Sequence, residues 1–443
     1  MRYKSASILI FLYISLILVA CSEQTSSRAT QPTTTQLSTA ASTTVVKALT
    51  TPTTAIQLLA TTPTPSPSTI SIVDTLPTDQ PWLWLPPYSD EFDSGRLFAV
   101  LSSDQLYELR SPVISVLARA GKLPLLITAT NKEYALVDPS SWSSIPLQIA
   151  TSQQPDSFIL APDGQSLAFR TTATDHSGQS FLYTAQVSIG ATERVTDIKN
   201  ALAQLNLSDI VEPNIPIAWF GSTLHVYVQS SATSYFWSLN TNEPSVTPRL
   251  DLTVGQTDVW MPSPTGSHLL WTYANQPSQL HAWGTNSDYV LERGTQAVTF
   301  TSDDTHLALV RAQSWQTATC CELLIYDIRQ EAPTLQQRIA LASSTYPNER
   351  PVQIHWSEDE QSIVVVFQQA VSSNRIVIIP LDGSPQIELS TSKVSDIRLV
   401  KDRLFTVEQS TLRIYKLNDR GQIQRTVSLP NTIISNYQIA LLP

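Results

Sequence analysis

The chain has 443 residues, of which 42% are hydrophobic and only 14% charged, against about 25% charged in average globular proteins. Its 27 Lys and Arg are outnumbered by 37 Asp and Glu, and the net charge of −10 excludes nucleic-acid binding through phosphate neutralisation. Glycine, at 12 residues, is too scarce for Gly-rich phosphate cradles, and the composition fits neither a charge-rich disordered chain nor a multi-span membrane protein. Length alone points to two or three domains.

In chain order, residues 1–20 read as an export signal. Arg2 and Lys4 supply the positive start, and residues 8–19 form an apolar core broken only by Tyr13 and Ser15, too short for a comfortable membrane span. The core ends in Leu18, Val19, Ala20 and Cys21, which resembles the bacterial lipobox, with a small residue before a Cys directly after the apolar stretch. The resemblance implies cleavage before Cys21 and diacylglycerol on its thiol. The mature chain is then held on the extracytoplasmic side of a membrane by acyl chains, each buried CH₂ contributing about 0.8 kcal/mol. Loss of Arg2 and Lys4 with the signal takes the net charge to −12, from 25 basic and 37 acidic residues.

Residues 21–80 read as the lipidated Cys and a linker. From Ser22 to Gln80, 26 of 59 residues are Ser or Thr, six are Pro, five are charged and none is Gly. Such a stretch has too little apolar area to offset its conformational entropy, so an extended, disordered stalk is expected. Runs such as Thr62-Pro63-Thr64-Pro65 also suit O-glycosylation.

Residues 85–443 carry a repeat. Residues 158–169, 260–271, 299–309 and 354–365 align as a short apolar strand, a polar turn and a second apolar strand. The turns hold Asp163-Gly164, Thr265-Gly266, Asp303-Asp304 and Asp359-Glu360, residue types that tolerate turn dihedrals or cap them with a side-chain oxygen. Weaker copies surround Trp219 and Leu404, and others lie upstream near Leu97 and Leu123. Third strands follow at residues 181–183, 235–237, 323–326, 376–379 and 412–415. Four strands per unit at spacings of about 40–57 residues predict an all-β fold, a β-propeller of four-stranded blades. Complete sets begin near Val113, Phe158, Ile217, Val259, Val298, Gln353 and Val394, so seven blades are expected, within a range of six to eight. Leu97 to Leu109 adds two strands, and pairing them with the last strand, residues 437–441, would close the ring as a partial eighth blade and remove an open edge. The run Ala161-Pro162-Asp163-Gly164 through Leu167-Ala168-Phe169 resembles the Ser-Pro-Asp-Gly-x-x-Ile-Ala-Phe signature of TolB-type propeller repeats. That resemblance covers roughly residues 90–443 as a period and implies a β-propeller fold.

Catalytic signatures are missing from the sequence. It has no Gly-x-Ser-x-Gly elbow, no His-Glu-x-x-His, no Cys-x-x-Cys, no P-loop and no dinucleotide fingerprint. No catalytic residue, cofactor or metal is therefore assigned. Of the six histidines, His268 and His306 share one repeat position, while His225 and His281 alternate with apolar neighbours, which suits packing. His176 stands apart beside Asp175 in the loop 171–180. Trp219, Phe300 and Trp356 recur at first-strand positions, where inter-blade packing explains them better than carbohydrate stacking. Cys320 and Cys321 are adjacent, and their Cα atoms, about 3.8 Å apart across a trans peptide, are closer than the roughly 4.4–6.8 Å of ordinary disulfides. A strained vicinal disulfide, reduced thiols and an intermolecular link all stay open. Loops joining second to third strands and those joining blades share one face, which by fold analogy carries ligands. That face would gather Asp175, His176, Trp315, Cys320 and Cys321. It would also hold the connection 197–214, whose Ile198, Ala201, Leu202, Leu205 and Ile210 have near-helical spacing.

These residues predict a membrane-tethered, extracytoplasmic lipoprotein whose propeller is a non-catalytic module for a protein, peptide or glycan. Its acidic surface favours neutral or basic partners. The alternatives are a lyase or hydrolase working through face residues such as Asp175 and His176, and a sensory or structural ectodomain.

Overall fold

The computed structural model describes residues 69–86, 95–101, 105–119, 122–130, 133–150, 153–173, 180–190, 192–196, 210–230, 233–240, 249–255, 259–272, 276–311, 321–330, 332–341, 349–408, 410–417, 422–430 and 437–441. The chain divides into two compact units, and all of these residues belong to the one formed by 55–88 and 92–443.

Among the described residues, 33 strands form eight sheets. The first four are β1 (Ile70–Val73), β2 (Trp82–Leu85), β3 (Arg96–Val100) and β4 (Leu106–Leu109), and they belong to blade 1. Blade 2 is the antiparallel meander β5 (Val113–Arg119), β6 (Lys122–Thr130), β7 (Glu133–Asp138) and β8 (Ser143–Leu147). Blade 3 repeats it with β9 (Gln153–Leu160), β10 (Ser166–Ala173), β11 (Ser180–Gln186) and β12 (Thr192–Thr196). Blade 4 follows as β13 (Ile210–Phe220), β14 (Thr223–Ser230), β15 (Thr233–Asn240) and β16 (Arg249–Gly255). Blade 5 is β17 (Val259–Pro262), β18 (His268–Thr272), β19 (Pro277–Ala282) and β20 (Ser287–Arg293). Blade 6 comprises β21 (Thr295–Phe300), β22 (His306–Arg311), β23 (Glu322–Asp327) and β24 (Thr334–Ala340). Blade 7 comprises β25 (Arg350–Trp356), β26 (Ser362–Ala370), β27 (Ser373–Pro380) and β28 (Ile387–Ser392). Blade 8 has β29 (Val394–Val400), β30 (Arg403–Glu408), β31 (Thr411–Lys416) and β32 (Gln422–Ser428), and β33 (Gln438–Leu441) returns to blade 1.

The ring therefore has eight blades rather than the seven expected. All seven starts read from the sequence fall in first strands, β5, β9, β13, β17, β21, β25 and β29. The difference lies in blade 1, whose order is β1-β4-β3-β2-β33. Here β33 pairs antiparallel with β2 and supplies the strand nearest the axis, so residues far apart in the chain complete one sheet. The strand β2 is only four residues long and bracketed by Pro81 and Pro86, which hid it among turn signals. Outside the four, β1 adds in parallel to β4, with Ile70 opposite Leu106 and Val73 opposite Leu109. The first described strand thus lies inside the stretch read as linker, and β2 begins ahead of residue 85.

The seams between blades hold the core. First strands neighbour one another around the axis, as β5 does β9, β9 does β13, β21 does β25, β25 does β29 and β29 does β33. Middle strands are buried on both faces, and so they read as continuous apolar runs instead of alternating ones. In β26, Ile363, Val365 and Phe367 pack toward blade 6, while Val364 and Val366 pack toward blade 8. Each such side chain contributes about 1.5–3 kcal/mol by burial. Blade 1 closes on blade 8 through Phe98, Leu83, Phe405 and Tyr437, and on blade 2 through Trp82, Leu97, Leu126 and Val113.

The turns between first and second strands follow one pattern. The Asp163, Asp303 and Asp359 Oδ1 atoms accept the N–H of Gln165, Thr305 and Gln361 at 2.8, 3.0 and 3.1 Å. The next residue is left-handed each time, with φ of 70° at Gly164, 58° at Asp304 and 57° at Glu360. Gly266 holds this place in blade 5 at φ 74°, and a Cβ there would lie 1.9 Å from the Trp219 carbonyl oxygen of blade 4. Asp304 and Glu360 instead use their side chains to reach the preceding blade. Asp304 takes hydrogen bonds from Ser263, Thr265 and Ser267, and Glu360 takes them from the Ser302 N–H and hydroxyl at 3.2 and 3.1 Å. Departures from the Asp-Gly consensus are thus inter-blade ties bought with a strained backbone.

Candidate functional site

The meander sorts the loops onto two rims. Loops from second to third strands and from blade to blade share one rim, and the strand-pair turns share the other. Of the residues expected on the first rim, Asp175, His176, Trp315 and Cys320 lie outside the described residues, as does Cys21 at the anchor. Cys321 is described: it is 1% exposed, left-handed at φ 68° and disulfide-bonded, with its partner outside the described residues. Its carbonyl accepts the Leu341 N–H at 3.0 Å, which ties the start of β23 to the end of β24. The helical spacing read over 197–214 fails at its C-terminal end, because Ile210 opens β13. Two β-branched residues there, Ile210 and Val211, favour strand, and Pro213 and Pro216, lacking N–H donors, fall among the register shifts of β13. Residues 197–209 lie outside the described residues.

The described part of this rim carries arginine–carboxylate pairs that sequence reasoning missed. Arg375, at the start of β27, is buried, donates from Nε to both Glu349 oxygens at 2.9 Å and lies 3.2 Å from Glu388. Its guanidinium also sits 4.6 Å from the Phe367 ring centroid, and Gln369 donates to Glu349 at 3.0 Å. In blade 6, Arg311 donates to Glu322 at 2.9 and 2.7 Å, and Arg338 bridges Glu322 and Glu292 at 2.8 and 2.6 Å. Glu408 of blade 8 accepts from Arg413 at 2.5 Å and from Thr406 and Tyr415 at 2.9 Å; burial, then the Glu408 charge, pushes the Tyr415 phenol well up. Arg170 and Asp156, paired at 2.7 Å, repeat the theme in blade 3. The signal lay in cross-strand register, since Arg311 stands opposite Glu322 and Arg170 opposite Asp156. With their oxygens occupied by cations and hydroxyls, these carboxylates fix strand ends and are poorly placed as general bases.

Five histidines are described, and all stand toward the other rim. His225 is buried with its ring stacked on Trp283 at 3.9 Å, and burial first, then His281, lowers its pKa to about 3. His281 Nδ1 lies 2.8 Å from Asp288 Oδ1, and its ring meets Trp283 edge-on at 4.4 Å. Burial, then the Arg398 charge, lowers His355 to about 3, and Arg398 donates to its Nδ1 at 3.2 Å. His268 and His306 each open a second strand, with Nδ1 2.8 Å from the hydroxyl of Ser267 or Thr305. Trp219 and Phe300 are buried, and Trp356 packs against the seam of blades 6 and 7. Among the described residues, no group of three or more His, Cys, Asp or Glu side chains is placed to hold a metal ion.

A groove of about 340 Å³ runs between the outer parts of blades 1 and 2. Leu109, Ala135 and Val137 form its apolar floor, Ser111, Thr128, Thr130 and Ser144 bring hydroxyls, and Asp74 and Glu133 bring carboxylates. Trp142 lines one end, in the turn from β7 to β8, and packs on Trp82 with ring centroids 5.9 Å apart. That turn is knotted by Asp138, which accepts from Arg119 at 3.0 and 3.1 Å and from the Ser140 N–H and hydroxyl at 2.9 and 2.7 Å. The Arg119 guanidinium holds the Asp138 carboxyl down at about 2.

No family model matches the chain, and no curated protein matches it. Among solved structures, it is similar to a prolyl endopeptidase at 10% identity and a TM-score of 0.47, covering 72% of this chain and 50% of that one. Saccharomyces cerevisiae Sqt1 gives 10% identity and 0.47, over 73% of this chain and 86% of that one. The C-terminal WD40 domain of Sif2 gives 10% and 0.46, over 73% and 88%. This chain spans about half the length of the endopeptidase. At such identities the likeness concerns the fold alone.

Proposed function

We propose that this protein is an extracytoplasmic lipoprotein, anchored through Cys21, whose eight-blade ring is a non-catalytic binding or scaffold module. The anchor reading rests on Leu18 to Cys21 and on the Ser/Thr-rich stretch behind it. The observation that carries the module reading is how the described titratable groups are used. Histidines are engaged in seams and turns, and buried carboxylates are tied to arginines and hydroxyls that hold strand ends. A closed ring stiffened in this way presents loops in fixed positions, which suits recognition.

Two measurements on the full-length protein test the reading. The wild type should fractionate with membranes and incorporate labelled fatty acid, and Cys21→Ala should do neither; a Cys21→Ala variant that still incorporates label overturns the anchor. Affinity capture from membranes should recover a partner that is lost when residues of the loop rim are replaced while the melting temperature holds. Turnover of a substrate that disappears in Asp175→Ala or His176→Ala would overturn the non-catalytic part.

A further inference from the structure

We propose that the groove between blades 1 and 2 is a saccharide site, taking one or two neutral pyranose units of a glycan against Trp142. The inference deepens the reading of the ring as a binding module and rests on it.

The backbone of Trp142 is the first support. Its φ is 54°, a left-handed conformation that bulky side chains rarely adopt and that persists only where the surroundings over-determine it. Blade 5 has the same four-residue turn, and there the residue just before the fourth strand is Asn286 at φ 53°, a type that tolerates this region. Turn chemistry thus calls for Asn, and blade 2 holds an indole in its place by the Asp138 knot. Packing on Trp82 backs the ring from the seam, while the same indole lines the groove.

The lining is the second support. The hydroxyls of a pyranose both donate and accept, so the exposed hydroxyls of Thr130 and Ser144 can pair with them in either sense and the Glu133 carboxylate can accept from them. The C–H face of the sugar suits the Trp142 ring, and Val137 adds apolar lining. A volume of about 340 Å³ falls at the small end of ligand clefts, roughly 300–1,000 Å³. Charge selects within this class. No described lining residue is basic, which disfavours phosphorylated or acidic sugars, and Asp74 is already paired with Arg110 at 3.2 Å, which weakens the pull on an ammonium ligand.

Saturation-transfer NMR on the full chain, held in a detergent without sugar headgroups, tests the proposal. The probes are methyl glycosides of glucose, galactose, mannose and N-acetylglucosamine. At least one should receive transfer at its ring protons, and Trp142→Asn should weaken it tenfold or more at an unchanged melting temperature. Should Trp142→Asn fail to fold, Thr130→Val is the second variant, with at least a threefold loss expected. Silence from all four glycosides overturns the inference, as does equal binding by the folded variants. Transfer to butylammonium with none to the glycosides also overturns it, by assigning the groove to cations. A protein partner captured on the loop rim while the glycosides stay silent would sink the saccharide site and leave the module reading standing.

Discussion

Asp304 of blade 6 and Thr265 of blade 5 are joined across a seam: the Asp304 carboxylate accepts the Thr265 backbone N–H at 3.3 Å and its hydroxyl as well. Ser267 adds a third contact at 2.7 Å. Asp304 occupies the left-handed position where the repeat consensus has Gly, so replacement by Gly would relax the backbone and delete the tie. Charge-assisted hydrogen bonds contribute roughly 1.5–3 kcal/mol each before the relief is set against them. Asp304→Gly should therefore lose about 1–3 kcal/mol in urea unfolding, and a stabilised variant would show that the turn is not an inter-blade tie.

The two glycines at the same repeat position should behave differently. At Gly164 an added Cβ meets nothing within 4 Å, so Gly164→Ala costs only the left-handed backbone, about 1–2 kcal/mol. At Gly266 the same atom would run into the Trp219 carbonyl oxygen of the neighbouring blade. Gly266→Ala should be markedly worse, with a larger fall in melting temperature and altered Trp fluorescence from the seam of blades 4 and 5. Equal melting temperatures for the two variants would contradict this.

Glu349 and Arg375 form a buried pair, and removing one partner of such a pair typically costs about 3–5 kcal/mol because the other charge is left stranded. Glu349→Gln and Arg375→Met should each destabilise strongly. The double variant should be more stable than the sum of the singles implies, measured by a double-mutant cycle in urea. Simple additivity would mean that the two side chains act independently.

Stability should fall on acidification in two steps. Burial keeps His225 and His355 neutral down to about pH 3, whereas in the unfolded chain they take up protons near pH 6.5. Below that pH the unfolded state binds more protons, so their contribution is intact above pH 6.5 and is lost progressively toward pH 3. The carboxylate of Asp138 behaves as a depressed acid, and its contribution is lost as pH drops from about 3.8 through 2. The melting temperature should decline between pH 7 and 5, before carboxylates titrate, and His225→Phe should flatten part of that decline. A melting temperature constant over this range would disprove the first step.

Much of the ring was legible because its turns are local. An Asp side chain capping the N–H two residues on leaves a signature within five positions, which marked the first strands at Phe158, Val298 and Gln353; the other four starts were read from paired apolar strands at the same spacing. Blade 1 was read in part: closure of the ring by residues 437–441 was expected, but β2, the strand they pair with, is four residues between prolines and left no local pattern, so the blade was not counted as complete. The helix expected through Ile210 failed for a related reason: apolar spacing over a few residues cannot separate a helix from a bulged strand when prolines set the bulges. Among site residues, Cys321 was singled out by its neighbour Cys320. Trp142 was not, although the residue one place before a fourth strand is Asn in blade 5 and Trp here, a contrast visible once the two turns are aligned. The arginine–carboxylate ties escaped notice because each depends on which residues face one another across strands.

Blade 1 also sets an order of events during synthesis. The edge of β2, with the buried residues Trp82 and Leu83, emerges early, but the strand that covers it, β33, lies more than 350 positions downstream. Until that segment leaves the ribosome the nascent chain carries an unpaired apolar edge, the kind of surface that recruits other strands. Chaperone dependence should accordingly be set by the last strand, and truncation just before Gln438 should yield aggregates instead of a slightly weakened ring.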